Sequence, residues 1–193
     1  YIMKNKFRTL MVFLFVILLA GCGGKEEAEI VNEAENMENS GAVAEEPARQ
    51  IIFTGQDIEG NEISSDIFSK SKLTMVNVWA TYCNPCLSEM PELGELAGAY
   101  EEEEFQVIGI ISDVMDTADQ KTIDMAKELI TQTEADYPHL VLNESVYFAL
   151  LTDVAVVPTT FFIDENGVVL DTVLGAMNRS GWEEKINELL EKE

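Results

Sequence analysis

The sequence predicts an α/β fold in which helices flank a central mixed sheet. Two apolar, β-branched segments, 73–80 and 105–112, enclose a helical stretch that begins at about Asn84. A strand, a helix and a strand at this spacing form a parallel βαβ unit. Near the C-terminus, segments 159–164 and 168–175 flank an ENG turn and predict an antiparallel hairpin. Parallel and antiparallel pairing together make the expected sheet mixed.

The elements before and within this unit follow from local patterns. Residues 50–68 contain two short strand signals around a turn at 59–61, which predicts a β extension before the sheet. The helix that begins at Asn84 is predicted to run to about Glu102 and contains Pro91. A proline inside a helix removes a backbone hydrogen bond, so we expect a kink there.

The elements after the unit complete the domain. Residues 118–134 predict an acidic helix inserted after the second buried strand. Its expected buried stripe consists of Met125, Leu129 and Ile130. A short strand at 139–143 and a helical segment at 145–151 precede the hairpin. The chain closes with a helix over 180–190 whose apolar residues lie on one face.

The first 21 residues have the features of a secretory signal peptide. Lys4, Lys6 and Arg8 form a positive region, and residues 10–20 are apolar without a break. This run is too short to cross the ~30 Å of hydrocarbon in a bilayer as a helix. It fits the apolar region of an export signal, so we expect residues 1–21 to be removed during export.

The end of this segment resembles a bacterial lipobox, in which a lipid is attached to the cysteine that follows the cleavage site. Here that cysteine is Cys22; the alternative is an ordinary signal peptide with an incidental cysteine. The segment 22–49 holds eight glutamates and no aliphatic periodicity, which predicts a disordered acidic tether. We therefore expect residues 50–193 to form a domain held on the outer face of the bacterial cytoplasmic membrane.

The charge of the chain excludes one class of partner. Twelve basic and 36 acidic residues give a formal net charge of -24. Phosphates would repel such a surface, so we expect no nucleic-acid binding.

The chain has three cysteines, and removal of the signal with lipidation of Cys22 would leave only Cys83 and Cys86 free. In an exported protein such a pair can form a disulfide. A purely structural disulfide this short would constrain little chain. A zinc site needs about four ligands, and the mature chain adds only His139, which we expect to be exposed or capping. Redox exchange is the favoured interpretation, with no metal and no cofactor beyond the disulfide.

The placement of the pair after a strand and at a helix start gives each cysteine a role. Pro85 has a backbone angle suited to the first helical turn. The positive end of the helix would stabilise a thiolate at Cys83, which we therefore predict to be the attacking nucleophile. Cys86, one turn into the helix, would resolve the mixed disulfide.

The sequence from about Phe53 onward resembles the thioredoxin superfamily, and within it the TlpA/ResA-like membrane-anchored thiol–disulfide oxidoreductases. Two stretches carry the resemblance: WATYCNPC at 79–86 and VVPTTFFIDENG at 156–167. The resemblance implies a thioredoxin-like fold in which Pro158 is cis and faces the disulfide. It also implies that the backbone of Val157 pairs with the substrate. The other expected substrate contacts are Trp79, Tyr82 and Pro85, with Tyr82 replacing the tryptophan of most relatives.

The resemblance also points to a proton carrier. Thioredoxin has a buried aspartate two residues before the first tryptophan of the motif, where this chain has Asn77, which cannot take a proton. ResA-like proteins are neutral there and place a glutamate three residues after the second cysteine, where this chain has Glu89. We expect Glu89 to relay a proton as Cys86 attacks; the alternative is a solvated surface glutamate.

Taken together, the resemblance implies a monomeric, extracytoplasmic enzyme that reduces disulfides in exported proteins. The expected clients are apocytochrome c or methionine sulfoxide reductases, and the expected electron donor is a membrane protein of the CcdA or DsbD type. Two alternatives stay open. One is a peroxiredoxin-like peroxidase, although Thr81 precedes Cys83 by two residues where that class has three. The other is a copper-binding chaperone that uses both cysteines and His139.

Overall fold

A five-stranded mixed sheet forms the centre of this computed structural model, which describes residues 50–192. The strands are β1 Thr54–Gln56, β2 Glu62–Ser64, β3 Leu73–Trp79, β4 Phe105–Met115, β5 His139–Leu142, β6 Thr159–Asp164 and β7 Val169–Leu174. The helices are α1 Asn84–Ala97, α2 Gln120–Gln132, α3 Glu144–Val146, which a π-helical turn Tyr147–Leu151 extends, and α4 Arg179–Leu190. The central sheet has the order β5-β4-β3-β6-β7. The predicted α/β class with a mixed central sheet is confirmed.

Three of the sequence predictions concern residues that the structure does not describe. The signal peptide at 1–21, the lipidated Cys22 and the tether over 22–49 lie outside the described residues. Within residues 50–192, no helix combines the length and the apolar character that crossing a membrane requires.

The strand pairing follows the predicted βαβ unit and hairpin. β3 and β4 pair in parallel over the whole length of β3, with α1 between them in the chain. β6 pairs antiparallel with β3 on one side and with β7 on the other. The hairpin turn places Gly167 at a φ of 79°, a conformation that glycine adopts without strain. The mixed character of the sheet therefore arises where β6 joins β3.

The predicted N-terminal β extension is also present. β1 and β2 form a separate two-stranded antiparallel sheet. In the turn between them, Asp57 Oδ1 accepts hydrogen bonds from the backbone N–H groups of Glu59 and Asn61, and Gly60 has a φ of 87°. A 3-10 helix, Ser65–Lys70, follows β2 and buries its apolar residues in the core.

Helix α1 ends five residues before the predicted end at Glu102. Its last residue is Ala97, and the N–H of Gly98 closes the final turn on the carbonyl groups of Gly94 and Leu96. Glycine is a poor residue for continuing a helix. The run of four glutamates that starts at 101 would also place negative charge at the negative end of a longer helix. Pro91 lies inside the helix, as predicted.

Helix α2 forms the predicted insertion, but part of its expected buried stripe is wrong. Ala126 is the fully buried residue of this helix, and Leu129 and Ile130 are half-buried. Met125 is 47% exposed. Successive residues on a helix are about 100° apart, so a helix that packs through Ala126 turns Met125 toward solvent.

A row of polar residues crosses the central sheet from strand to strand. Asn77 on β3 lies opposite Gly109 on β4 and Thr160 on β6. Gly109 lies in turn opposite His139 on β5. Residues in register on neighbouring strands point to the same face of a sheet. Asn77, Thr160 and His139 are all buried, so this transverse row places polar side chains in the interior.

Candidate active site

The two cysteines of the motif form a disulfide at the start of α1. Their sulfur atoms are 2.04 Å apart, and Cys83 is the N-cap residue of the helix. The Cys86 backbone N–H donates to Cys83 Sγ at 3.3 Å, so the helix end points toward this sulfur. Cys86 is completely buried, whereas Cys83 keeps 6% of its surface exposed. Only Cys83 can be reached by a partner, which is what its predicted role as nucleophile requires.

The loop before β6 lies against the Cys83 sulfur. The Val157–Pro158 peptide bond is cis, as predicted. Cys83 Sγ is 3.7 Å from the Val157 carbonyl oxygen. In the disulfide this sulfur has no proton to donate. After reduction, a Cys83 thiol at this position could donate a hydrogen bond to that oxygen. The structure thus brings together the two motifs that are about 70 residues apart in the sequence.

Exposed groups surround this point of access. Tyr82 is 75% exposed, and Pro85 also faces solvent. Tyr82 and Val157 line one cleft of about 290 Å³, together with Tyr147, Val154 and Val156. The positions of Tyr82, Pro85 and Val157 suit contact with a substrate, and that role stays a prediction.

Trp79 does not belong to this surface, so its predicted substrate contact is wrong. Its side chain is completely buried, and its indole N–H donates to His139 Nδ1 at 3.1 Å. Trp79 is the last residue of β3, and the alternation of the strand directs it into the core, with Met75 and Asn77. The motif tryptophan is therefore a core residue and not part of the exposed surface around Cys83.

His139 is neither exposed nor capping, which corrects the sequence-based expectation. It is buried on β5, and its Nε2–H donates to the Ala135 carbonyl at 3.0 Å while Nδ1 accepts from Trp79. Burial lowers the pKa of this imidazole from 6.5 to about 4, so it is neutral near pH 7. Both ring nitrogens are engaged, which leaves neither free to bind copper. Among residues 50–192, no group of three or more His, Cys, Asp or Glu residues could hold a metal ion.

Glu89 is buried on α1, one turn beyond Cys86. Only 3% of its surface is exposed, which excludes the alternative of a solvated glutamate. Its two oxygens accept hydrogen bonds from Asn77 Nδ2 at 3.1 Å and from the backbone N–H of Met177 at 3.2 Å. Burial raises the pKa of this carboxyl from 4.5 to about 7, although both hydrogen bonds oppose the rise. A carboxyl with this pKa can both take and release a proton near neutral pH. Its role as proton relay stays a prediction.

Asn77 and Met177 hold this carboxyl from two directions. Asn77 Nδ2 also donates to Thr160 Oγ1 at 3.0 Å, so the amide is fixed by the transverse row. Met177 lies in the loop that follows β7. This loop is tied to the cis-proline loop, because the Gly175 N–H donates to the Pro158 carbonyl at 2.9 Å. Sequence reasoning missed Met177 because its backbone, not its side chain, makes the contact.

Comparisons with known proteins agree with this site. A family model described as the AhpC/TSA family matches residues 46–172. The thiol-disulfide oxidoreductase ResA of Bacillus thuringiensis is 27% identical, over 93% of this chain and 96% of that protein. The thiol:disulfide interchange protein DsbE of Escherichia coli is 29% identical, over 83% of this chain and 80% of that protein.

A solved structure gives the same answer for the fold. The crystal structure of a thioredoxin-family thiol:disulfide interchange protein from Chlorobium tepidum has a TM-score of 0.63 and 23% identity to this chain. The likeness covers 75% of this chain and 97% of the other. It confirms the thioredoxin-like fold expected from the sequence.

Proposed function

This chain belongs to the AhpC/TSA family and carries the site of a thiol–disulfide oxidoreductase, and on that premise we propose that it reduces disulfides in exported proteins. One observation carries the proposal: in the Cys83–Cys86 disulfide, the Cys83 sulfur can be reached from solvent and the Cys86 sulfur is buried. A partner can therefore bond to only one of the two cysteines, and the other stays in place to release it.

The first step is attack by the reduced enzyme. The Cys83 thiolate attacks one sulfur of the substrate disulfide, forms a mixed disulfide and expels the other substrate sulfur as a thiolate. The start of α1 stabilises the thiolate, because the backbone N–H of Cys86 points at Cys83 Sγ. The Val157 carbonyl is 3.7 Å from the same sulfur, which supports a role for this backbone in pairing with the substrate.

The second step releases the product. The Cys86 thiol gives its proton to the Glu89 carboxylate, and its sulfur attacks Cys83 Sγ. This forms the enzyme disulfide and frees the second substrate thiolate, so two electrons have passed from the two cysteines to the substrate. Glu89 then holds the proton that Cys86 lost. The reverse sequence, with a dithiol donor, regenerates the enzyme.

We extend this proposal to the direction of electron transfer, which is toward the substrate, and to the location and partners of the protein. The Asn-Pro pair between the cysteines resembles reducing members of the superfamily more than the Pro-His of oxidising ones, which is an argument by analogy. The signal at 1–21 and the lipobox at Cys22 support a location outside the cytoplasmic membrane, attached through lipid. Apocytochrome c and methionine sulfoxide reductases are the client classes, and a membrane protein of the CcdA or DsbD type is the donor.

Reduction of an exported disulfide substrate tests the activity. The oxidoreductase should reduce insulin disulfides when supplied with a dithiol, and Cys83→Ser should abolish turnover. Cys86→Ser should instead trap a mixed disulfide, since the release step is missing. Peroxide turnover that depends on Cys83 and exceeds disulfide reduction would establish the peroxidase instead.

A measured reduction potential tests the direction. A value of about -270 mV supports a reductant, and one of about -120 mV supports an oxidant. The lipid anchor has its own test, because Cys22→Ala should move the protein from the membrane fraction to the soluble fraction.

A further inference from the structure

The part of the chain that the structure describes has four buried polar side-chain atoms without a hydrogen-bond partner. They are Asn77 Oδ1, Glu92 Oε2, Tyr137 Oη and Trp182 Nε1. Proteins pair nearly all of their buried polar atoms, so a group of unpaired ones needs an explanation.

All four of these residues lie around Glu89. Asn77 donates to its carboxyl through Nδ2. Glu92 raises the pKa of the Glu89 carboxyl and Trp182 lowers it. The charge of Glu89 in turn adds to the rise that burial causes in the pKa of Tyr137. The Trp182 N–H lies near Glu89 without the geometry of a hydrogen bond. We refer to Asn77, Glu92, Tyr137 and Trp182 as the polar cluster.

The unpaired atoms of the polar cluster comprise two hydrogen-bond donors and two acceptors. Tyr137 O–H and Trp182 N–H are donors, while Asn77 Oδ1 and Glu92 Oε2 are acceptors. Buried water molecules typically take about three such partners from otherwise unpaired groups. Two donors and two acceptors around a carboxyl that changes its protonation state are therefore suited to conduct a proton through water.

Glu92 is the member of this cluster that reaches solvent. Asn77 and Trp182 are completely buried, and Tyr137 is 9% exposed. Glu92 is half-buried, with one carboxyl oxygen inside. It follows Glu89 by three positions on α1, so the two carboxyl groups share one face of the helix. A single side chain thus connects the interior around Glu89 with the surface.

We propose that Glu92 carries protons between Glu89 and bulk solvent, through the polar cluster. This inference rests on the proposed thiol–disulfide exchange. When Cys86 attacks, its proton passes to Glu89. Water held by Asn77, Tyr137 and Trp182 then passes one proton on to Glu92, which releases it to bulk solvent. When a donor reduces the enzyme disulfide with two electrons, the proton returns by the same route to the Cys86 thiolate. Neither direction needs a further reactant.

Glu92→Gln tests the route, with Glu95→Gln as the matched control. Glu95 lies on the same helix and is exposed at the surface, where it pairs with Arg179. The reduced protein is mixed with oxidised glutathione, and formation of the enzyme disulfide is followed over a range of buffer concentrations. In dilute buffer Glu92→Gln should react several-fold more slowly than the wild type and Glu95→Gln. A small acid–base pair such as imidazole at high concentration should restore the rate of Glu92→Gln.

A second measurement does not depend on turnover. In ¹³C NMR titrations of the oxidised protein, Glu92→Gln should lower the pKa of the Glu89 carboxyl, because a nearby negative charge is removed. Glu95→Gln should leave that pKa in place, and both variants should melt close to the wild type.

Two outcomes would overturn the route. Either Glu92→Gln behaves like Glu95→Gln in both measurements, or its slower reaction is not restored by imidazole, which would indicate a structural role. Failure of the wild type to reduce glutathione or insulin disulfides would instead refute the proposed function.

Discussion

The side-chain amide of Asn77 donates a hydrogen bond to the buried carboxyl of Glu89 over 3.1 Å. The amide cannot take a proton, and it stabilises the ionised form of the carboxyl beside it. Burial acts in the opposite sense and is the larger effect, since the pKa of Glu89 rises to about 7. The pair therefore sets one titration near neutral pH next to the resolving cysteine.

Glu89→Gln should slow the release step on the order of 100-fold, the usual contribution of a positioned acid–base group. The wild-type rate should rise through pH 7, because Glu89 accepts a proton only when ionised. The variant should lose this inflection. Stopped-flow oxidation of the reduced protein between pH 5 and 9 measures both effects. An identical pH profile for wild type and variant would remove Glu89 from the mechanism.

The same carboxyl should make the oxidised protein less stable as the pH rises. Its pKa is about 7 in the folded state and 4.5 when unperturbed, so between these values the folded state binds the proton that the unfolded state has lost. The free energy of unfolding should thus fall by ~3 kcal/mol from pH 4.5 to 8 through this group. Glu89→Gln should remove that fall, as urea unfolding of both proteins at pH 4.5, 6 and 8 would show. A difference between the proteins that does not change with pH would contradict it.

Asn77→Asp should shift the same titration to higher pH. A second carboxyl would face Glu89 where the amide now donates, and two carboxyls in contact resist double ionisation. The midpoint of the release step should move up by roughly one pH unit or more. Asn77→Ser, which removes the amide without adding charge, serves as the control. If both variants keep the wild-type midpoint, the contact between Asn77 and Glu89 has no influence on the titration.

Gly109→Ala should destabilise the protein strongly. A methyl group at Gly109 would lie 2.2 Å from His139 Nδ1, which holds the Trp79 indole. Such overpacking typically costs about 1–3 kcal/mol. Gly98→Ala makes the same chemical change where the nearest atom is 3.8 Å away and should be neutral or slightly stabilising. Denaturant midpoints compare the two, and equal midpoints would show that the sheet accommodates the methyl group.

Tyr82→Ala should weaken the binding of protein substrates without changing the rate of thiol–disulfide exchange at Cys83. Tyr82 is 75% exposed beside Cys83 and lines the cleft with Val157. Its loss should raise KM for insulin several-fold and leave the rate with oxidised glutathione unchanged. Ile52→Ala alters a side chain of similar exposure, 71%, and should change neither. A matching loss with both substrates would mean that Tyr82 acts on Cys83 itself.

Local patterns were sufficient for the elements and for the reactive pair. The helix start at Cys83 follows from Pro85 and the preceding apolar strand, and the cis bond at Pro158 was expected from the resemblance. Contacts between strands that are far apart in the sequence cannot be predicted from local patterns. His139 and Trp79 were misplaced because the space that His139 fills is created by Gly109, on a strand between theirs. The partners of Glu89 likewise come from β3 and from the loop after β7.

The transverse polar row has a consequence for how the chain assembles. His139, Gly109, Asn77 and Thr160 match only if four strands adopt one alignment. A slip of one residue in any of these strands would turn its side chains to the opposite face. An imidazole would then meet a side chain instead of the gap at Gly109, and the buried Asn77 amide would lose its acceptors. Misaligned sheets would therefore bury unpaired polar groups, and the residues that support the redox centre also discriminate against wrong strand pairing during folding.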